Sequence, residues 1–225
     1  MTEADWLNPH ATVQGLTHGL PKTPVGRSKA GRRKFRLFAC AVCRLFWDRL
    51  PEECLRRAIE GTELVAEGAL PKEYLDSAHR VAQEAGLNSF VAPGGDEPQK
   101  RLAFALIDAL TRHEAPRVAF GVVSYALPLA DHHGPPDAHA LIIRLLRDVF
   151  GNPFLKVKFD KKWRTDTAVT LARQMYESRD FSAMPIMADA LQDAGCDNAD
   201  VLDHCRGDGP HVYGCWVADL VLGKQ

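Results

Sequence analysis

The chain has 225 residues, with Lys+Arg 28 against Asp+Glu 29, a formal net charge of -1 and 46% hydrophobic residues. That balance excludes a disordered chain, a collagen-like fibre and a chain that is basic throughout. The length allows one large domain or two small ones and is enough to bury a core without staples.

From the amino end, residues 3–7 read as a short helix. Residues 8–31 hold Pro9, Gly15, Gly19, Pro21, Pro24, Gly26 and Gly31. These interrupt any helical period, so the segment reads as an extended arm. From Ala30 the apolar positions Phe35, Phe38, Ala39, Val42, Leu45 and Phe46 recur at spacings of three and four, which predicts a helix to about Leu50. Pro51 opens a helix over 51–67 and Pro71 another over 71–85, ended by Gly86. Residues 87–98 have loop composition. Leu102, Leu106, Ile107 and Leu110 mark one face of a helix over 99–113. Val118–Leu127 is apolar nearly all round and reads as a buried helix, although periodicity alone also admits a strand.

Residues 128–137 (PLADHHGPPD) read as a second loop, followed by a helix over 138–150 with Leu141, Leu145, Leu146 and Val149 inward. Leu155, Val157 and Phe159 alternate with Lys156 and Lys158, which marks an extended piece. Thr165 or Asp166 caps a helix over 166–178, and Ser182 caps one over 183–194 that stops at Gly195. Asp197 or Asn198 starts a short helix to Cys205, and a last helix covers 211–222. The sum is an all-α fold, a globular array of about eight to ten helices with one short extended segment near 154–160. The domain reading is an N-terminal segment and basic arm over 1–31 and a single helical domain over 32–225, with a two-lobe split near 130–138 as the alternative.

No apolar run approaches the roughly 20 residues that span a bilayer, so no membrane partner is expected. The opening MTEADWLNPH lacks the apolar stretch of a secretory signal, and six cysteines are too few for a disulfide scaffold. The expectation is a cytoplasmic chain with reduced thiols. Cysteines there are core residues, metal ligands or reactive groups.

Two Cys/His pairs have ligand spacing. Cys40 and Cys43 form CxxC within FACAVCRLFW, and His211 and Cys215 stand at i and i+4 within HVYGCW. On helices each pair shares a face, and together they supply the four soft donors of a closed, structural zinc site. His204 and Cys205 are adjacent reserves. The competing reading makes the cysteines small core residues, the commoner fate of a free thiol. Arg44 is the nearest thiolate stabiliser in sequence.

Charge is unevenly spread. No Asp or Glu occurs between Trp6 and Trp47, where Lys22, Arg27, Lys29, Arg32, Arg33, Lys34, Arg36 and Arg44 lie. Residues 180–208 carry seven aspartates and only Arg206 as a basic residue. Arg32, Arg33, Lys34 and Arg36 are therefore candidate phosphate contacts within a basic segment 22–36. The segment 22–34 holds no aromatic for base stacking, and the alternative is a solvated or self-neutralised arm. Asp131, His132, His133, Asp137 and His139 form a further polar cluster in a Pro/Gly loop. It lacks the upstream Asp-x-Asp run that phosphoesterase chemistry on DHH would need. Phosphate-loop, dinucleotide, nucleophile-elbow and HExxH signatures are absent. Glu52 and Glu53 suit a helix start, and His113 a helix end.

Three stretches carry a resemblance: MTEADWL at the start, RKFRLFACAVCRLFW at 33–47, and the tail from LLRDVFGNPF (145–154) through WRTDTAVTLARQ to HVYGCWVADLVLGK (163–224). Together they resemble a large paralogous family of planctomycete proteins of unknown function, with the tail match covering about 80 residues. Members often read FACACCRR where this chain has FACAVCRL, so Val42 and Leu45 depart from the pattern while Cys40 and Cys43 keep it. The resemblance implies no activity. It implies that the Cys40/Cys43 region meets the His204–Cys215 region.

Three functional readings follow. The leading one is a non-enzymatic helical module acting through protein contacts. The second is a zinc-stabilised nucleic-acid binder, with Cys40, Cys43, His211 and Cys215 on the metal and Arg32, Arg33, Lys34 and Arg36 on phosphate. The third is a metal-dependent enzyme of unrecognised class using Asp131, His132 and His133. The cofactor is accordingly none, or a structural zinc.

Overall fold

The computed structural model describes residues 1–50, 52–91, 98–112, 114–133 and 135–224, without the side chains of 49, 88–91, 98–102, 112, 132 and 133. The expectations for Pro51, Leu102 and His113 and for the centre of the 87–98 loop lie outside the described residues. Among them the fold is all-α, with thirteen α-helices and no strand. None of these helices is long and apolar enough to cross a membrane. The chain divides into two compact units, Met1–Ile143 and Arg144–Gln225. The division falls inside one helix, beyond the 130–138 stretch considered from sequence.

The first unit contains α1 (Glu3–Leu7), α2 (Val13–Gly19), α3 (Pro24–Arg27), α4 (Lys29–Arg44), α5 (Glu53–Ala66), α6 (Glu73–Val91), α7 (Pro98–Arg112) and α8 (Arg117–His133). Residues 8–31 are not an extended arm. Thr12, Thr23 and Ser28 each cap a helix, accepting hydrogen bonds from the amides of Gly15 (3.1 Å), Gly26 (3.1 Å) and Gly31 (2.8 Å). Three of the four glycines read as breakers, Gly15, Gly26 and Gly31, therefore sit in capped first turns, and Gly19 ends α2. At two of them no side chain fits. A Cβ at Gly31 would lie 2.0 Å from the Val25 carbonyl oxygen, and one at Gly26 would lie 2.2 Å from that of Leu20. Val13, Leu16 and Leu20 are buried, and the burial is what holds such short helices.

α4 is the spine of this unit, packing on α5, α7 and α8. Every residue from Lys34 to Cys43 is buried. α6 continues through Gly86, where an added Cβ would lie 3.3 Å from the Phe104 ring. α8 likewise continues through Pro128 to His133, where a loop was expected.

The second unit holds the end of α9 (Ala138–Phe150), α10 (Asp166–Ser178), α11 (Met184–Asp193), α12 (Ala199–Arg206) and α13 (Trp216–Leu222). Residues 151–160 make a turn at 153–154 and are otherwise neither helix nor strand. Thr165 caps α10 and Asn198 caps α12, as their positions predict. α11 starts without a side-chain cap, so Ser182 does not take the expected role. Met175, Met184, Met187, Ala188, Leu191, Val201, Cys205, Cys215, Val217 and Val221 close a common core. The final helix begins at Trp216 and not at 211. That leaves residues 207–215 as a loop between α12 and α13.

Candidate metal centre

The second unit gathers four ligand-type side chains at one point: Asp148 from α9, His204 from α12, and His211 and Cys215 from the loop. One donor atom of each lies within 4.8 Å of all the others. Asp148 Oδ1 is 3.1 Å from His204 Nε2 and 2.9 Å from His211 Nδ1, and His204 Nε2 is 3.2 Å from Cys215 Sγ. A tetrahedral ion with bonds of about 2.0–2.3 Å separates its ligands by about 3.3–3.6 Å. The three short separations are tighter than that by a few tenths of an ångström, and the whole group spans no more than 4.8 Å. Outward shifts of that size are within reach of side chains mounted on two helices and a loop.

Local structure explains the convergence. Asp148 follows Leu145 by three residues and precedes Val149, at the edge of the buried stripe of α9, and its side chain is 2% exposed. His204 lies three residues beyond the buried Val201 and beside the buried Cys205 on α12. The loop is held by its backbone. The amide of Val212 donates to Asp148 Oδ2 at 3.0 Å, and the amide of Cys215 donates to the Val212 carbonyl at 2.8 Å. One aspartate thus positions the loop with one oxygen and faces both imidazoles with the other.

The electrostatics favour a cation. Burial pushes the Asp148 carboxyl up, but hydrogen bonds and charge from His204 and His211 outweigh it and hold the group below the ordinary aspartate range. Burial first, and the Asp148 carboxylate second, push the Cys215 thiol well above its usual value. A soft divalent ion would displace that proton and satisfy the carboxylate at once. His211 turns its Nδ1 to Asp148, and this is the nitrogen that joins the donor group; its Nε2, the other ring nitrogen, is buried. A cleft lined by Arg144, Arg147, Asp203 and Asp208 opens onto the group, with Asp148, His204 and His211 in its wall.

Family models, curated proteins and solved structures contain no match to this chain. The site must therefore be read from its own chemistry.

Of the four metal ligands expected from sequence, His211 and Cys215 belong to this group and His204, the reserve, completes it with Asp148. They meet through the loop and not, as expected, along one helical face. Cys40 and Cys43 belong to the first unit, where both are fully buried on α4. Burial, then the nearby Glu63 carboxylate, raises both thiols, and Cys40 Sγ donates weakly to the Ile59 carbonyl at 3.8 Å. Asp148 was missed because a charged residue beside Leu145 and Leu146 reads as the polar edge of an amphipathic helix. The available signal was its place only three residues after a core leucine.

The C-terminal part of the basic segment is used inside the first unit. Arg33 Nε donates to Glu67 at 3.0 Å, and Lys34 and Arg36 are buried. Arg32 is exposed, as are Lys22, Arg27 and Lys29. In the third predicted cluster, Asp131 and His139 pair at 2.8 Å on the surface. The side chains of His132 and His133 lie outside the described residues.

Proposed function

We propose that residues 144–225 form a zinc-stapled helical module, and that the protein acts through protein contacts and not through catalysis. One observation carries the zinc staple: four protein donors, one thiol, two imidazoles and one carboxylate, converge within 4.8 Å. The mixed soft and borderline set suits zinc and not magnesium or calcium, which take all-oxygen shells. Four protein ligands fill a tetrahedral shell, and a catalytic zinc keeps one position for water or substrate. The metal then serves the fold, joining α9, α12 and the loop before α13.

The nucleic-acid reading keeps less support. It rested on Arg32, Arg33, Lys34 and Arg36, three of which are buried or ion-paired.

The test is metal content and spectroscopy on the full chain purified without chelator. The expected result is about one zinc per chain. Cobalt substituted for it should give a thiolate-to-metal charge-transfer band and the intense visible bands of a tetrahedral ion, and Cys215→Ala should abolish the former. Metal-free protein that takes up no cobalt would overturn the zinc reading. A hydrolytic activity that appears with metal and disappears in Cys215→Ala would overturn the non-catalytic one.

A further inference from the structure

Behind the loop that carries His211 and Cys215 lies a second, wholly buried polar contact. Tyr176 of α10 donates its phenolic hydrogen to Asp219 of α13, a carboxylate with 0% exposure. The same Tyr176 Oη accepts a hydrogen bond from the backbone amide of Gly214 at 3.1 Å. Gly214 has φ 101, a conformation that side-chain-bearing residues rarely adopt. It makes the turn that delivers Cys215 to the donor group. Asp219 closes the circuit, since its own backbone amide donates to the Cys215 carbonyl at 2.9 Å.

The five-residue stretch 211–215 is therefore pinned at two amides. Asp148 Oδ2 holds Val212, and Tyr176 Oη holds Gly214. The second pin is not needed for the hydrophobic core. A phenylalanine would fill the same space, packing on Tyr213 and Phe181 at ring distances of 4.4 and 6.0 Å. What the hydroxyl adds is direction: it sets the path of the peptide entering Cys215.

Resting on the zinc reading above, we infer that Tyr176 and Asp219 are positioning residues of the metal centre, holding the Gly214–Cys215 turn so that the thiolate meets the ion. Partners one step beyond the ligands of a metal site change its affinity by about 10–100-fold when removed. The pair acts on the ligand Cys215 through the backbone, at the Gly214 amide and the Cys215 carbonyl.

The experiment uses the full chain loaded with cobalt, with three samples: wild type, Tyr176→Phe and the core truncation Met187→Ala, which lowers stability from α11. Two quantities are read, the visible cobalt spectrum at saturation and the rate of metal loss to excess chelator. Tyr176→Phe is expected to shift the thiolate charge-transfer band and to lose metal about tenfold faster. Met187→Ala is expected to melt lower while keeping the wild-type spectrum. An unchanged spectrum and release rate in Tyr176→Phe, or the same spectral shift in Met187→Ala, would overturn the inference. If Tyr176→Phe does not fold, Asp219→Asn takes its place, since it weakens the acceptor of the phenol without changing its shape. Wild type that binds no cobalt would instead sink the zinc reading itself, so the two failures are distinguishable.

Discussion

Removing the metal should lower the melting point of the second unit by a calculable amount. Asp148 and Cys215 are almost completely buried. Without an ion, the group keeps a carboxylate, a protonated thiol and two imidazoles in contact. With free zinc a thousandfold above its dissociation constant, linkage adds about 4 kcal/mol to stability. In a domain of roughly 60–100 residues each kcal/mol moves the midpoint by about 4–8 °C, which gives about 15–30 °C between zinc-loaded and chelated protein. Hydrogen exchange followed by mass spectrometry tests where the effect falls. Peptides covering 144–150 and 199–216 should lose protection on chelation and regain it with zinc. If the four side chains were only a hydrogen-bonded cluster, His204→Ala would cost about 1.5–3 kcal/mol whether or not zinc is present. Superimposable melting curves with zinc and with chelator, together with protein free of metal, would refute the reasoning.

Further outcomes follow from the first unit. Arg44 grips Glu63 with two hydrogen bonds of 2.8 and 2.9 Å, and the two side chains are 25% and 3% exposed. Arg44→Ala removes two hydrogen bonds from a buried carboxylate, whereas Glu63→Gln leaves a guanidinium that reaches water; the first should therefore cost clearly more than the second, and urea titration of both variants checks the asymmetry. Gly31→Ala gains about 1 kcal/mol of helix propensity, but its Cβ would lie 2.0 Å from a backbone oxygen that cannot swing aside. The variant should therefore be less stable than wild type, and a rise in its denaturation midpoint would contradict this. Cys54, the one cysteine not fully buried, should alkylate first in native protein. Cys40 and Cys43 should stay unmodified until unfolding, as peptide mapping after brief iodoacetamide treatment would show.

Local signals in the sequence carried much of the architecture. The three-and-four spacing of Phe35, Phe38, Ala39 and Val42 specified α4, and Thr165 and Asn198 specified the starts of α10 and α12. These depend on side chains within a turn or two of each other, which is the range over which a helix is encoded. Residues 8–31 were misread for a related reason. Their prolines and glycines are breakers only when nothing caps or buries the neighbouring turn, and Thr12, Thr23 and Ser28 do cap them. The zinc-type spacing of His211 and Cys215 was visible too, but for a helical reason that does not hold. They meet because a loop is pinned by Asp148 and Tyr176, 64 and 38 residues away from the amides they hold. Asp148 carried only its place three residues after Leu145 as a signal, and that shows burial at most; nothing local distinguishes a helix-edge carboxylate that faces water from one that faces two imidazoles. Which thiol meets which histidine is decided by packing between elements distant in the chain, and only the tertiary structure contains that.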